Sequence, residues 1–300
     1  MPHRLAAAAL LAVATAAPAA DAPLLLRPAR VFDGQATHAD WVVLVRGQRI
    51  GSAGPAADVK PPAGARTVEL PGMTLLPGLI DAHSHLFLRP YDQMPWNDQV
   101  LKEAEALRTA RATVHARATL MAGFTTLRDL GTEGAGYADV GIKQAIEQDV
   151  IPGPRLLVVT RAIVATGSYA PKGFAPSFLV PQGAEEADGD TLRKVVRDQI
   201  GKGADWIKVY ADYRWGPGDR AKPTFSLEEL KLIVETAGSA RCPVVAHAMT
   251  KEGMRRAALA GVETIEHGYA GDAEVFRLMA NRGVALCPTL AANEAMARYR

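Results

Sequence analysis

Seven histidines punctuate the 300-residue chain, and four of them close apolar runs. The run LLPGLIDAHSHL carries His83 and His85, two residues apart. Side chains two apart on a strand project to one side, so this pair can offer two imidazoles to one metal ion without distortion. Asp81, a further two residues back, shares that side and can orient a ring or ligate. His247 in PVVAHAM and His267 in TIEHGY each terminate another apolar run, 20 residues apart. Four imidazoles meeting without a cation would carry a desolvation cost. Imidazole suits zinc, and also iron, copper and nickel, so the set argues for a metal more than for which one.

Lys208 sits inside the otherwise apolar stretch DWIKVYAD. Burial disfavours its ammonium form, lowers its pKa and leaves a nucleophilic amine. Such an amine can add CO2 and become a carbamate able to bridge two metals. Pairing with Asp205 or Asp212 at the strand rim is the equal alternative from periodicity. Tyr210 and Asp212 fall on the same side of that strand. Tyr210 can donate a hydrogen bond to a substrate carboxylate or developing oxyanion, or simply line the interior. Asp129 in RDLG reads as an inward partner of a ligand imidazole or as an ion pair with Arg128. Ser168, Tyr169 and Lys172 in ATGSYAPKGFAP read as exposed loop positions. His115, mid-helix, and His38, near the N-terminus, carry no assigned role.

The elements that must position these groups alternate. Strands are predicted near 75–85, 124–129, 155–164, 206–212, 243–248, 264–268 and 284–290. Helices are predicted over Glu103–Ala122, Ile142–Gln148, Leu192–Lys202, Ser226–Ala240, Lys251–Ala260 and Ala273–Arg282. Ser226 with Glu229 has capping-box spacing, and Thr250 is a natural N-cap. Apolar strands alternating with helices imply an α/β fold whose parallel strands are buried on both faces. A TIM-type (β/α)8 barrel fits better than an open doubly wound sheet, and barrels place their chemistry at the C-terminal strand ends, where the histidines fall. Residues 22–73 read as a small N-terminal β-sandwich lobe and 74–300 as the barrel. Only about seven strands precede Arg300, so the chain reads as a barrel truncated before its eighth.

Composition narrows the function classes. Lys+Arg 34 against Asp+Glu 32 gives a formal +2, which argues for no nucleic-acid partner, as does the 6% aromatic content. Residues 1–20, MPHRLAAAALLAVATAAPAA, have the layout of a secretory signal peptide. They predict a periplasmic or secreted protein with no stable membrane insertion after cleavage. Cys242 and Cys287 read as buried free thiols. The expected partner is a small molecule or dipeptide, and oligomerisation is left open.

PGLIDAHSHL, TTLRDLG, WIKVYAD, VVAHAM and IEHG, in that order behind a β lobe, resemble the amidohydrolase superfamily, in its imidazolonepropionase-like and Xaa-Pro dipeptidase-like branch. The resemblance spans Leu24 to Leu290. It implies His83 and His85 on one metal, carboxylated Lys208 as the bridge, and His247 and His267 on a second. It implies two zinc ions; Lys208 and, from its place on the same strand face, Tyr210 are the expected catalytic groups, and an amide of a dipeptide or N-acyl amino acid is the expected substrate. A cyclic amide hydrolase of imidazolonepropionase or hydantoinase type is the rival. A noncatalytic remnant is the other, because the family's strand-eight aspartate has no counterpart here. The histidine-bearing glycine-rich stretch common after strand three is also replaced, by ATGSYAPKG.

Overall fold

The computed structural model describes residues 22–299, so the proposed signal peptide lies outside the described residues. The chain divides into two compact units, meeting at Pro77 and Gly78.

The first unit is a five-stranded sheet built from β1 (Leu24–Phe32), β2 (Thr37–Ala39), β3 (Trp41–Arg46), β4 (Arg49–Pro55) and β5 (Arg66–Leu75). Antiparallel pairing gives the order β2-β1-β3-β4, with β5 running parallel to β1. Leu25, Val42, Leu44 and Val59 form its small core.

The second unit is built on parallel strands in two sheets. One holds β6 (Leu79–Ser84), β7 (Phe124–Asp129) and β8 (Arg155–Val158), in that order. The other runs β10 (Glu185–Glu186), β9 (Ile163–Val164), β11 (Ile207–Tyr210), β14 (Val244–Ala248), β15 (Thr264–His267) and β16 (Ala285–Cys287). A short hairpin, β12 (Asp212–Tyr213) with β13 (Lys222–Pro223), follows β11. Eight helices intervene: α1 (Trp96–Lys102), α2 (Glu105–Met121), α3 (Ala138–Glu147), α4 (Gly189–Gly201), α5 (Leu227–Gly238), α6 (Lys251–Ala260), α7 (Ala273–Arg282) and α8 (Leu290–Arg298). This is an incomplete TIM-type barrel: seven strand positions are filled, and among the described residues none fills an eighth. β6 and β16 therefore both stand at sheet edges.

The third barrel strand differs from its expected single run over 155–164. It breaks between β8 and β9 because Thr160 adopts φ 64, and its amide donates to the buried Asp139 carboxylate (2.7 Å) rather than to a neighbouring strand. The helices α6 and α7 match their expected limits, and both close on a left-handed glycine, Gly261 and Gly283. The main core packs β9, β11, β14 and β15 against α4 to α7, with Ile207, Val209, Ala246 and Ile265 fully buried. A second core, centred on Phe87, Leu127 and Val158, seats α2 and α3 on the first sheet.

Candidate active site

The strand ends bring four of the expected side chains close together. Ring centroids lie 5.3 Å apart for His83–His85, 5.0 Å for His83–His267 and 4.6 Å for His247–His267. Lys208, two residue pairs below His247 in the β11–β14 register, is buried with its Nζ 5.4 Å from the Tyr210 ring. Tyr210 stacks on His247, centroids 4.5 Å apart and planes 21° from parallel.

Three of the imidazoles are oriented from behind. His83 Nδ1 donates to Glu266 Oε2 at 2.7 Å and His85 Nδ1 donates to the Gly131 carbonyl at 2.9 Å. Acceptor-only partners fix the tautomer and leave each Nε2 with its lone pair. His267 Nδ1 lies 2.8 Å from Thr289 Oγ1. His247 Nε2 is buried without a hydrogen-bond partner, 3.7 Å from Asp212 Oδ1. Burial above all, with the Lys208 ammonium and the other rings adding repulsion, holds His83 and His247 well below the usual histidine range; His267 falls to about 3. These three rings are neutral at pH 7, the form that ligates a metal.

Glu266 organises the back of the site, and strand alternation hides it. Adjacent residues on a strand should face opposite ways. His267, however, has φ 75, a left-handed conformation, so Glu266 and His267 both serve the same space. Glu266 Oε1 accepts from Arg128 Nη2 (2.8 Å) and Thr264 Oγ1 (2.8 Å) while Oε2 takes His83. Ligand atoms of His83, Glu266 and Cys287 lie within 4.8 Å of one another. Glu266 already spends both oxygens on three donors, and these three residues read as a hydrogen-bonded anchor rather than a metal cage.

Several expectations are corrected here. Asp129 neither orients an imidazole nor pairs with Arg128: both its oxygens are buried without a hydrogen-bond partner, and burial raises its carboxyl well above the usual range. Arg128 turns instead to Glu266 and to the Ala82 carbonyl (2.8 Å). Asp81 accepts the His83 backbone amide (3.0 Å), a turn contact. Neither rim aspartate takes Lys208. Asp205 binds Lys143 Nζ (2.7 Å), and Asp212 accepts the Met249 and Thr250 amides and the Thr250 hydroxyl. Burial brings the Lys208 ammonium down to about 8. Ser168 and Tyr169 are buried, not exposed loop positions, whereas Lys172 reaches back to the Gly167 carbonyl at the surface. Cys242 is buried as expected, Cys287 only partly.

Glu133, which the sequence did not single out, lies beside this group, buried on the loop after β7 with φ 51. Its Oε2 accepts from Trp96 Nε1 (2.8 Å) and the Tyr169 hydroxyl (2.6 Å), and its Oε1 lies 4.0 Å from His85 Nδ1. Arg108 of α2, fully buried, pins that loop by donating to the carbonyls of Glu133 (2.8 Å), Thr132 (2.9 Å) and Phe87 (3.2 Å). Gly134, at φ 101, lets the loop pass the guanidinium: a Cβ there would sit 3.2 Å from Arg108 Nη1.

Comparison with known proteins follows the same outline. The profile of the Amidohydrolase family matches residues 74–299. Ochratoxinase of Aspergillus niger is 32% identical over 230 residues, covering 70% of this chain and 46% of that protein. An uncharacterized protein of Mycobacterium tuberculosis is 29% identical over 233 residues, 77% of this chain and 54% of that one. The chain thus spans about half the length of these curated relatives. Among solved structures, a prolidase complexed with N-methylphosphonate-L-proline superposes with a TM-score of 0.81 at 30% identity, over 92% of this chain and 68% of that one. A Xaa-Pro dipeptidase with methionine bound in its active site gives 0.80 at 28%, over 92% and 69%.

Proposed function

This chain belongs to the amidohydrolase family, and on that premise we propose that it serves metal-dependent hydrolysis of an amide bond, in a dipeptide or an N-acyl amino acid. The observation that carries this reading is the convergence of four imidazoles, from three strands, beside one buried lysine. The donor set fits a divalent ion. Three rings have Nδ1 occupied from behind, and the fourth has a buried Nε2 with no partner. His83 and His85 would hold one ion and His247 and His267 a second, with zinc the expected metal. A bound dication supplies an acidified water near neutral pH and polarises the scissile carbonyl.

The chain's own residues do the remaining work. Lys208, its ammonium destabilised by burial to about 8, offers a neutral amine in a fraction that grows as the pH rises toward that value. Its lone pair can attack the carbon of CO2 with loss of a proton to solvent, and the resulting carbamate would supply a carboxylate ligand to the bound ions. Glu266 and the Gly131 carbonyl keep His83 and His85 from rotating. Tyr210 stands over His247 beside the reacting group. Two solved structures similar to this chain, a prolidase and a Xaa-Pro dipeptidase by name, favour peptide-like amides over cyclic ones. The N-terminal segment favours export to the periplasm or beyond.

The test is an assay of zinc-supplemented protein, alone and with its C-terminal side extended, on X-Pro, X-Arg and X-Phe dipeptides against cyclic ureides. Release of amino acids from dipeptides supports the proposal. Turnover of ureides alone establishes the rival, and turnover seen only in the extended chain makes the present one a noncatalytic portion.

A further inference from the structure

The hydroxyls beside the imidazoles form a chain whose protons can be counted. Trp96 Nε1 can only donate, and it donates to Glu133 Oε2 at 2.8 Å. Tyr169 holds one proton, and the 2.6 Å contact with the same oxygen consumes it. The Tyr169 and Tyr210 hydroxyls lie 3.1 Å apart, so the Tyr210 proton must serve that contact or the longer one, 3.5 Å, to Glu133 Oε1. Either way it points inward. The Tyr210 oxygen is left with lone pairs, next to His247 and beside a carboxylate 4.0 Å from His85.

We infer that Glu133, through Tyr169 and Tyr210, makes this side of the site a hydrogen-bond acceptor, which selects substrates bearing an ammonium or N–H donor there and disfavours a carboxylate. This reverses the donor role that the sequence suggested for Tyr210. It rests on the amide-hydrolase reading for its substrate class: amides with a free amino group adjacent to the scissile bond. Glu133 acts as a positioning and specificity residue, since it reaches the substrate through the tyrosines and through its charge. A buried carboxylate repels a substrate carboxylate, and the spent phenol protons leave that group no donor to bind.

Three probes read this directly by titration calorimetry on the zinc-loaded chain: L-phenylalaninamide, N-acetyl-L-phenylalaninamide and N-acetyl-L-phenylalanine. The free amine is expected to bind tightest, by about tenfold or more over both acetylated probes. Glu133→Gln replaces one acceptor oxygen by an NH2 that donates to the phenols, releasing a phenol proton toward the site. It should collapse that ratio and raise affinity for N-acetyl-L-phenylalanine, a change of selectivity that mere loosening would not produce. Tyr210→Phe removes the acceptor itself and should also flatten the ratio, which keeps the test open should Glu133→Gln fail to fold. Preference of the unaltered chain for the carboxylate probe, no binding of any of the three, or an unchanged ratio in both variants would overturn the inference. Ammonia release from L-phenylalaninamide is followed separately. Its absence with the selectivity intact counts against the hydrolase reading and leaves this one standing.

Discussion

His83 works as a ligand candidate only because Glu266 holds its far nitrogen. Carboxylate support of this kind raises imidazole basicity and fixes the ring, and losing it costs about 10- to 100-fold in metal affinity. Glu266→Gln should therefore weaken zinc binding by that order, read by competition with a chromogenic chelator, with little change in ion stoichiometry. His83→Ala or His267→Ala should lower the stoichiometry itself, measured by elemental analysis; unchanged zinc content would remove them from the ligand set. Lys208→Ala should lose activity and regain part of it with added short-chain carboxylates, whereas full activity without them would sink the carbamate. The spacing of His83 and His85 was legible because period-two geometry is local. Glu266 was not, because its inward direction depends on the left-handed backbone of the following residue, a conformation that a histidine does not advertise. Asp139 offers a pH test. Burial pushes its carboxyl from 3.8 up to about 6, despite amides from Thr160 and Val140 that favour the charged form. With the folded value above the unfolded one, its contribution to stability is largest below pH 3.8 and falls as the pH rises to about 6, by roughly 3 kcal/mol. The difference in unfolding free energy between the native chain and Asp139→Asn should shift across that window and be flat above it.

The elements that carry the site are fixed by short-range signals. Ser226 accepts from the Glu229 amide (3.1 Å), and Glu229 reaches back to the Ser226 amide (2.9 Å), the box that its spacing announced. Ser226→Ala should lower stability by about 1 kcal/mol in denaturant titration, since the Glu229 amide then loses its acceptor. Thr250 caps α6 through the Gly253 amide, and its hydroxyl also binds Asp212 (2.7 Å). That carboxylate thus fastens β12 to the turn following His247. Gly253 is obligatory in this arrangement: an added Cβ would lie 2.2 Å from Asp212 Oδ2, so Gly253→Ala should disturb the His247 turn as well as the helix. Helices with caps and glycine stops were readable to the residue. The break between β8 and β9 was not, because it is imposed by Asp139 reaching from α3, a tertiary contact without a local signature. Nor was α1, which lacks a side-chain cap.

In the second unit β6 and β16 are end strands of their sheets, and both carry exposed apolar side chains: Ile80 is 69% exposed and Leu286 38%. A cavity of about 280 Å³ lined by Ile80, Leu157, Trp206, Ala285 and Leu286 lies alongside. The alternation of strands and helices made the barrel legible as a class, whereas the pairing of its distant parts was not. The His83–Glu266 bond makes that distance concrete, since it closes over 183 residues. At ribosomal rates of 5–20 residues per second, Glu266 is synthesised roughly ten to forty seconds after His83. For that interval His83 lacks the carboxylate that fixes its ring, so the geometry of the paired histidines is completed only after Glu266 has been made.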